Sequence, residues 1–155
     1  MPDLFADCIN LQSVDFSNID TSNVDTMSRL FYNCTSLSSI RLPINTDKLI
    51  SMNSLFDGCS SLSSIDLSSF NTKSVTTMNS LFKGCSSLTL LEINNFDVKN
   101  VLYMNEMFSG VTSLRSLDLS SFDTSNIVSC ENIWKDIYNL TIKIDVSKNK
   151  KLLED

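Results

Sequence analysis

The sequence contains no histidine and only three glycines and two prolines among its 155 residues. Without histidine, the commonest general acid–base group and a frequent metal ligand is missing. No glycine-rich loop of the kind that binds phosphate is present. The sequence consists of repeated units, described below, and its acids and serines recur in each unit. They are not concentrated in one place, as the residues of an active site would be. We therefore expect a protein that is not an enzyme and that binds no cofactor.

Basic residues are also scarce. Lys and Arg number 12 against 18 Asp and Glu, which gives a net charge of −6. Binding to nucleic acid requires clustered basic side chains, so we expect no such partner. No run of about 20 apolar residues is present, so we expect no insertion into a membrane. Residues 1–7 lack the basic start and apolar run of a signal peptide.

A repeat organises the sequence. An aromatic residue returns at a nearly constant interval, with steps of 26, 25, 26, 26 and 26 residues. The aromatic positions are Phe5, Phe31, Phe56, Phe82, Phe108 and Trp134. The short step falls where Leu42-Pro43-Ile44 replaces a longer Leu-Ser-Ser-Phe. Self-similarity at such a period is typical of proteins built from stacked repeats.

Each unit has two halves, which are clearest in the third unit. Leu62, Ile65 and Leu67 alternate with polar residues and predict a short strand, and Phe70 completes the spacing L-x-x-I-x-L-x-x-F. After a polar turn, apolar residues recur every three or four positions, which predicts a short helix facing a core. These apolar residues are Val75, Met78, Leu81, Phe82 and Cys85. The predicted helix caps are Asn23, Ser74, Asn100 and Asn126.

One position near the end of each predicted helix carries only residues that tolerate a left-handed backbone. The residues at this position are Asp7, Asn33, Gly58, Gly84, Gly110 and Asp136. Glycine, asparagine and aspartate adopt positive φ more readily than other residues. We therefore predict that the backbone is left-handed at all of these positions.

These patterns predict an α/β solenoid. We expect a leucine-rich-repeat-like, right-handed stack of strand–turn–short helix units with a parallel sheet on one face. The predicted single repeat domain spans residues 1–155, with about five units of 25–26 residues at 5–30, 31–55, 56–81, 82–107 and 108–133. A degenerate C-terminal cap follows at 134–155. Within it, residues 140–146 are predicted to form a final strand, which the charged tail covers.

Four cysteines share one position of the repeat: Cys8, Cys34, Cys59 and Cys85. Val111 and Ile137 fill this position in later units, which favours a buried ladder of reduced thiols over disulfides. A zinc site would need closely spaced Cys or His ligands, so we expect none. Cys130 stands where other units have methionine and is also predicted to lie in the core.

The residues between the core positions of each strand form an exposed surface, which we call the strand face. Its central column is Asp15, Arg41, Asp66, Glu92 and Asp118, flanked by Leu90 and Asn94. We predict that these residues bind a partner, because the open sheet of a solenoid is its usual binding surface. The alternative is a solvated sheet whose polar side chains bond to one another. A calcium site is a further alternative that Arg41 disfavours, since it interrupts the carboxylates.

The run F-x-G-C-S-S-L-x-x-L-D-L-S-S-F-D-T-S-N-V resembles the repeat of BspA-like bacterial leucine-rich-repeat surface proteins, in the branch shared with mycoplasma-type lipoproteins. Matching segments are 56–78, 82–104 and 108–127, and looser copies begin at Phe5 and Phe31. The resemblance implies a cell-surface or secreted protein that takes part in adhesion to host proteins or to other cells. It assigns no ligand-contact residue, because the shared motif is the structural core.

The leading hypothesis is therefore an adhesin-like, non-enzymatic protein-interaction module that binds host or cell-surface proteins. Two alternatives stay open: a self-assembling structural repeat fragment, and an acidic intracellular inhibitor or interaction protein. Met1 to Phe5 align with the end of a predicted helix at residues 78–82, so the N-terminal edge lacks a cap. This edge is the predicted site of any end-to-end self-association.

Overall fold

A computed structural model describes residues 1–42 and 44–154. Within these residues the β-strands are β1 Ser13–Asp15, β2 Ser39–Arg41, β3 Ser64–Ile65, β4 Leu90–Leu91, β5 Ser116–Leu119 and β6 Thr141–Ile144. They form parallel pairs, β1 with β2, β3 with β4 and β5 with β6. In each pair equivalent residues of consecutive units lie opposite each other, as Ser64 does with Leu90. The strand half of the unit and the final strand are therefore confirmed.

The prediction of short helices is wrong. The only helix among the described residues is a 3-10 turn at Lys150–Leu153, in the C-terminal tail. The segments predicted as helices consist of consecutive turns, closed by bonds such as that from Leu81 N to Met78 O at 3.3 Å. We call these the turn segments: residues 1–7, 27–33, 52–58, 78–84, 104–110 and 130–136.

Hydrogen bonds between the turn segments explain why no helix forms. Alternate N–H groups of one segment point along the array and donate to carbonyl groups of the next, so they cannot make the bonds of an α-helix. Over distances of 2.7–3.1 Å, the N–H groups of Met52, Ser54, Phe56 and Gly58 donate to the carbonyl groups of Thr77, Asn79, Leu81 and Lys83. Turns in this arrangement also return an apolar side chain to the core every three or four residues.

Side chains predicted as helix caps instead bind the neighbouring unit. Asn100 Nδ2 donates to the carbonyl oxygen of Lys73 at 2.7 Å, and Asn126 Nδ2 donates to that of Lys99 at 2.9 Å. Each acceptor lies in the preceding unit. The asparagines at this position therefore join units together and do not begin helices.

A column of buried threonines also joins the units, and the sequence analysis did not predict it. Each threonine hydroxyl donates to a carbonyl oxygen of the next unit at 2.7–3.3 Å. The column contains Thr21, Thr46, Thr72 and Thr124. Each of these buried hydroxyls thus has the hydrogen-bond partner that its burial requires.

A column of stacked aromatic rings runs through the core. Neighbouring ring centroids lie 5.3–6.0 Å apart, and their planes are within 8° of parallel. The column contains Phe5, Phe31, Phe56, Phe82, Phe108 and Trp134. Such offset stacking stabilises aromatic pairs beyond the burial of their area. The interval of the sequence repeat is therefore the interval at which these rings pack.

All the positions predicted to be left-handed have positive φ, from 55° at Asn33 to 79° at Gly58. A second left-handed column lies four residues earlier in each turn segment and was not predicted. It contains Asp3, Arg29, Ser54, Ser80, Glu106 and Asn132, with φ between 53° and 57°. Arg29 and Glu106 have no intrinsic preference for this conformation, which costs about 1–2 kcal/mol per residue. The hydrogen bonds between segments hold them in it.

The buried thiol ladder is confirmed for Cys34, Cys59 and Cys85. Each thiol donates to the carbonyl oxygen of the core phenylalanine one unit earlier, at 3.1–3.2 Å. Burial raises the pKa of Cys34 to about 11 and that of Cys59 to about 12, so the thiols stay protonated and can donate. Cys130 is buried as predicted. The prediction for Cys8 is wrong: it is exposed, because thiols of this ladder face the preceding unit and no described residue covers that side.

The C-terminal tail folds over the last turn segment. Leu152 is fully buried, and Trp134 Nε1 donates to its carbonyl oxygen at 2.6 Å. Lys151 Nζ donates to the carbonyl oxygen of Ile127 at 2.6 Å. The tail therefore packs against residues of the segment 127–134, and its predicted covering of the final strand stays a prediction.

Gly84→Ala should lower the free energy of unfolding by about 1–2 kcal/mol, because alanine adopts positive φ poorly. The backbone has φ of +69° there, and the nearest atoms to an added Cβ lie at an ordinary 3.6 Å, so crowding is not the cause. Gly84→Asn is the matched control, because Asn33 occupies the equivalent position in its own unit with positive φ. The free energy of unfolding should fall less in this control than in Gly84→Ala. Urea unfolding measures both. Equal losses would contradict a backbone origin.

Candidate functional site

The predicted strand-face residues are all exposed. They alternate with buried residues of the strands, as in β5, where Ser116 and Asp118 face solvent and Leu117 and Leu119 are buried. The exposed set contains Asp15, Arg41, Asp66, Leu90, Glu92, Asn94 and Asp118. Their placement on one surface therefore follows from the strand alternation, while their role in binding stays a prediction.

The structure brings together the strand-face residues of the third and fourth units. Ile65 of β3 lies opposite Leu91 of β4, and Asp66 and Glu92 follow them directly in the chain. Paired strands lie about 4.8 Å apart, so Asp66 and Glu92 are neighbours. Leu90 begins β4 beside them. Arg41, Asp15 and Asp118 belong to the other strand pairs.

Three of the acids have a structural role that the sequence analysis missed. Asp15, Asp66 and Asp118 each accept a hydrogen bond, at 2.7–2.9 Å, from the N–H of the serine two residues later. The pKa of Asp15 and that of Asp66 are lowered, most by the hydrogen bond from the serine hydroxyl and next by the bond from the serine N–H. The spacing D-x-S in the sequence was the available signal. Glu92 departs from it, because its unit reads Glu92-Ile93-Asn94.

Cations compensate the acids at both ends of the column. The charge of Arg41 acts on Asp15, and Lys143 Nζ lies 2.9 Å from Asp118 Oδ2, which lowers the pKa of Asp118. At the centre, no Lys or Arg nitrogen among the described residues lies within 4.0 Å of the carboxylates of Asp66 and Glu92. Like charges on neighbouring strands destabilise each other, so this pair attracts a cation.

A groove of about 280 Å³ lies over the same residues. Its lining includes Ser64, Asp66, Leu90, Glu92, Asn94 and Asn95. Leu90 is 56% exposed, although the equivalent residue of β1, β2, β3 and β5 is a serine. A second groove, of about 250 Å³, extends from Asp66 to Arg41. Pro43, which marks another departure from the repeat, lies outside the described residues.

The turn segments, by contrast, carry charges that compensate one another. Arg29 Nε lies 2.7 Å from Asp3 Oδ1, and Lys83 Nζ lies 2.6 Å from Glu106 Oε2. Asp57 interacts with both cations, yet burial raises its pKa above the usual value. The pair Asp66 and Glu92 therefore differs from Asp3 and Glu106 of the turn segments in forming no ion pair within 4.0 Å among the described residues.

The N-terminal edge exposes apolar side chains. Leu4 and Ile9 are about half exposed, while Phe5 is partly buried and stacks on Phe31 with ring centroids 5.6 Å apart. N–H groups of the first turn segment point towards segment 27–33, as in the bond from Phe5 N to Leu30 O at 3.0 Å. The edge therefore exposes apolar side chains beside the charged Asp3 and Asp7, and its turn segment directs its N–H groups away from the outer side.

Neither a metal cluster nor a membrane span is found in the described part of the chain. Within residues 1–42 and 44–154, no three Cys, Asp or Glu side chains are grouped closely enough to hold a metal ion. In the same residues, no helix has the length and apolar character needed to cross a bilayer.

These features define a protein built from stacked units, joined by parallel strand pairs and by hydrogen bonds between turn segments. The sequence model of the family described as "Mycoplasma protein of unknown function, DUF285" matches residues 1–90 and again residues 51–153. Together the two matches cover almost the whole chain, so the protein belongs to this family. The match agrees with the mycoplasma branch of the resemblance seen in the sequence.

One solved structure with a similar chain is that of a leucine-rich repeat protein from Bacteroides ovatus ATCC 8483, at 19% sequence identity and a TM-score of 0.45. The similarity covers 95% of this chain and 43% of that one, so this chain spans less than half of its length. No curated protein matches the sequence.

Asp57→Asn should raise the melting temperature at neutral pH. The raised pKa of Asp57 means that folding disfavours its ionised form, mainly through burial. This cost is full above the raised pKa, shrinks as pH falls through it, and vanishes below the unfolded pKa. Thermal unfolding at pH 7 and near pH 3 should therefore show a stabilisation that disappears in acid. The exposed control Asp25→Asn should show none, and an equal gain at both pH values would contradict the assignment.

Proposed function

We propose that this protein is a non-enzymatic protein-interaction module that binds through the strand face around Asp66, Leu90, Glu92 and Asn94. One observation carries the proposal: a groove, an exposed leucine and two carboxylates that form no ion pair within 4.0 Å among the described residues coincide there. Exposed apolar groups beside polar ones are common at protein-binding surfaces.

The alternative of a purely solvated sheet accounts for only part of this surface. Asp15 and Asp118 fit it, since serines and cations occupy their carboxylates. Leu90 does not fit it, because serine at the equivalent positions serves the strand equally well and avoids exposing apolar area. The fourth unit departs from the repeat on its exposed side while its core positions are kept. Such a departure favours a role outside the fold.

The wider role that we propose is that of an adhesin-like part of a bacterial surface or secreted protein, which binds host or cell-surface proteins. Membership of the DUF285 family and the resemblance to BspA-like repeats support it. We also propose the full architecture of a right-handed, leucine-rich-repeat-like solenoid. One strand per unit in parallel pairs and equivalent contacts between units support that architecture.

The test is binding of the fluorescently labelled chain to cultured epithelial cells, measured by flow cytometry over a range of concentrations. The variant is the triple substitution Leu90→Ser, Glu92→Asp and Asn94→Ser, which gives the fourth unit the exposed residues of the third. We expect it to keep its melting temperature and to bind at least tenfold more weakly.

The matched control is Val128→Thr with Glu131→Gln, two exposed changes away from the strand face. This control should bind as the unchanged protein does. Equal binding by the triple variant and the unchanged protein would overturn the assignment to the strand face. The absence of cell binding by the unchanged protein would overturn the adhesin-like role.

A second candidate function is self-association through the N-terminal edge, which the exposed Leu4 and Ile9 favour. The C-terminal end is covered by the tail, so association would join two N-terminal edges. Light scattering over a dilution series should then show a mass that rises with concentration, and Leu4→Ser with Ile9→Ser should remove the rise. A monomer at all concentrations rules this candidate out.

A further inference from the structure

We propose that the partner presents an extended segment with a lysine or arginine side chain, whose cation lies between the carboxylates of Asp66 and Glu92. This inference rests on the proposed protein-binding function and names the chemistry of the partner. It follows from the charge, the shape and the apolar content of the groove, taken in turn.

The groove carries an excess of negative charge, because the described residues of its lining include Asp66 and Glu92 but no lysine or arginine. Asp66 and Glu92 follow the paired residues of β3 and β4, about 4.8 Å apart across the strands. No Lys or Arg nitrogen among the described residues lies within 4.0 Å of either carboxylate. Arg41 lines the neighbouring groove with Asp66 but its charge acts on Asp15, and Lys143 binds Asp118. A single cation placed between the two carboxylates would interact with both of them. Charge complementarity of this kind determines which partners an interface accepts.

The apolar content of the groove favours a lysine or arginine over a small inorganic cation. Leu90 is 56% exposed and lies beside the carboxylates, where it offers an apolar surface. The methylene stem of a lysine or arginine packs on such a surface while its charged end reaches the polar groups. An inorganic cation would leave Leu90 uncovered.

The rest of the groove suits the main chain of a polypeptide. The exposed amide of Asn94 can donate to a carbonyl group and accept from an N–H group. Asn95 is already engaged, because its Nδ2 donates to the carbonyl oxygens of Leu67 and Phe70 at 3.1 Å. One free amide beside a cation site matches an extended segment with a single basic anchor.

The test is fluorescence anisotropy with three labelled hexapeptides added to the full chain. The first has the sequence Gly-Leu-Lys-Ser-Leu-Gly, the second carries acetyl-lysine in place of lysine, and the third carries glutamate. We expect the lysine peptide to bind at least fivefold more tightly than either of the others, and to weaken as salt screens the charges.

The double variant Asp66→Asn with Glu92→Gln removes both charges but keeps the acceptor oxygen that binds Ser68 N. It should bind the lysine and acetyl-lysine peptides equally. The control Asp25→Asn with Glu131→Gln makes the same change in net charge at exposed positions off the strand face and should keep the preference for lysine. A preference that survives in the Asp66 and Glu92 variant would overturn the inference.

Failure of the inference is distinguishable from failure of the proposed function. If none of the peptides binds while the chain still binds cells through the fourth unit, the inference is overturned and the proposed function stands. If all three peptides bind equally, the inference is also overturned, since charge then contributes nothing.

Discussion

The hydrogen bonds between turn segments are the constraint on which the rest of this structure depends. Each segment donates from alternate residues to the next one, so a slip of one residue would leave several buried N–H groups without partners. Each such group costs about 1–3 kcal/mol, which makes the register between units strict. The ring column, the thiol ladder and the threonine column all repeat at the spacing that this register sets. This register forces Arg29 and Glu106 into left-handed backbone conformations that are locally unfavourable for these residue types.

The core residues, the strands and the first left-handed column could be predicted from the sequence, because each of them requires particular types of side chain. Buried positions such as Phe82 and Cys85 keep their character from unit to unit, and Gly84 marks a left-handed residue directly. The turn segments could not be told from helices, since both return a side chain to the core every three or four residues. Turn segments and helices differ in the direction of their backbone N–H groups. The second left-handed column would have distinguished the two, but it could not be recognised in the sequence because Arg29 and Glu106 are residue types without a preference for positive φ.

The exposed column of the strand face was also predictable, whereas its electrostatics was not. Alternation along the strands identified Asp66 and Asp118 as equivalent exposed acids. Only the folded chain shows that Lys143, from a strand outside the regular repeat, forms an ion pair with Asp118, and that Asp66 forms none within 4.0 Å among the described residues. Compensation of charge depends on long side chains from neighbouring units, and a repeat pattern carries no information about which way they lean. The departures at Leu90 and Glu92 were nevertheless visible in the sequence and lie at the candidate site.

The equivalence of the hydrogen bonds between turn segments has a genetic consequence. Because neighbouring turn segments bond through equivalent residues, a duplicated unit would find these bonding partners already in place on both sides. Recombination between copies could therefore change the number of units without requiring new packing contacts. An insertion or deletion of a single residue, by contrast, must fall between the bonded turn segments, as the one-residue deletion at Leu42-Pro43-Ile44 does. The exposed strand residues take no part in the bonds between turn segments, so a shuffled gene could vary its binding surface one unit at a time and keep its fold.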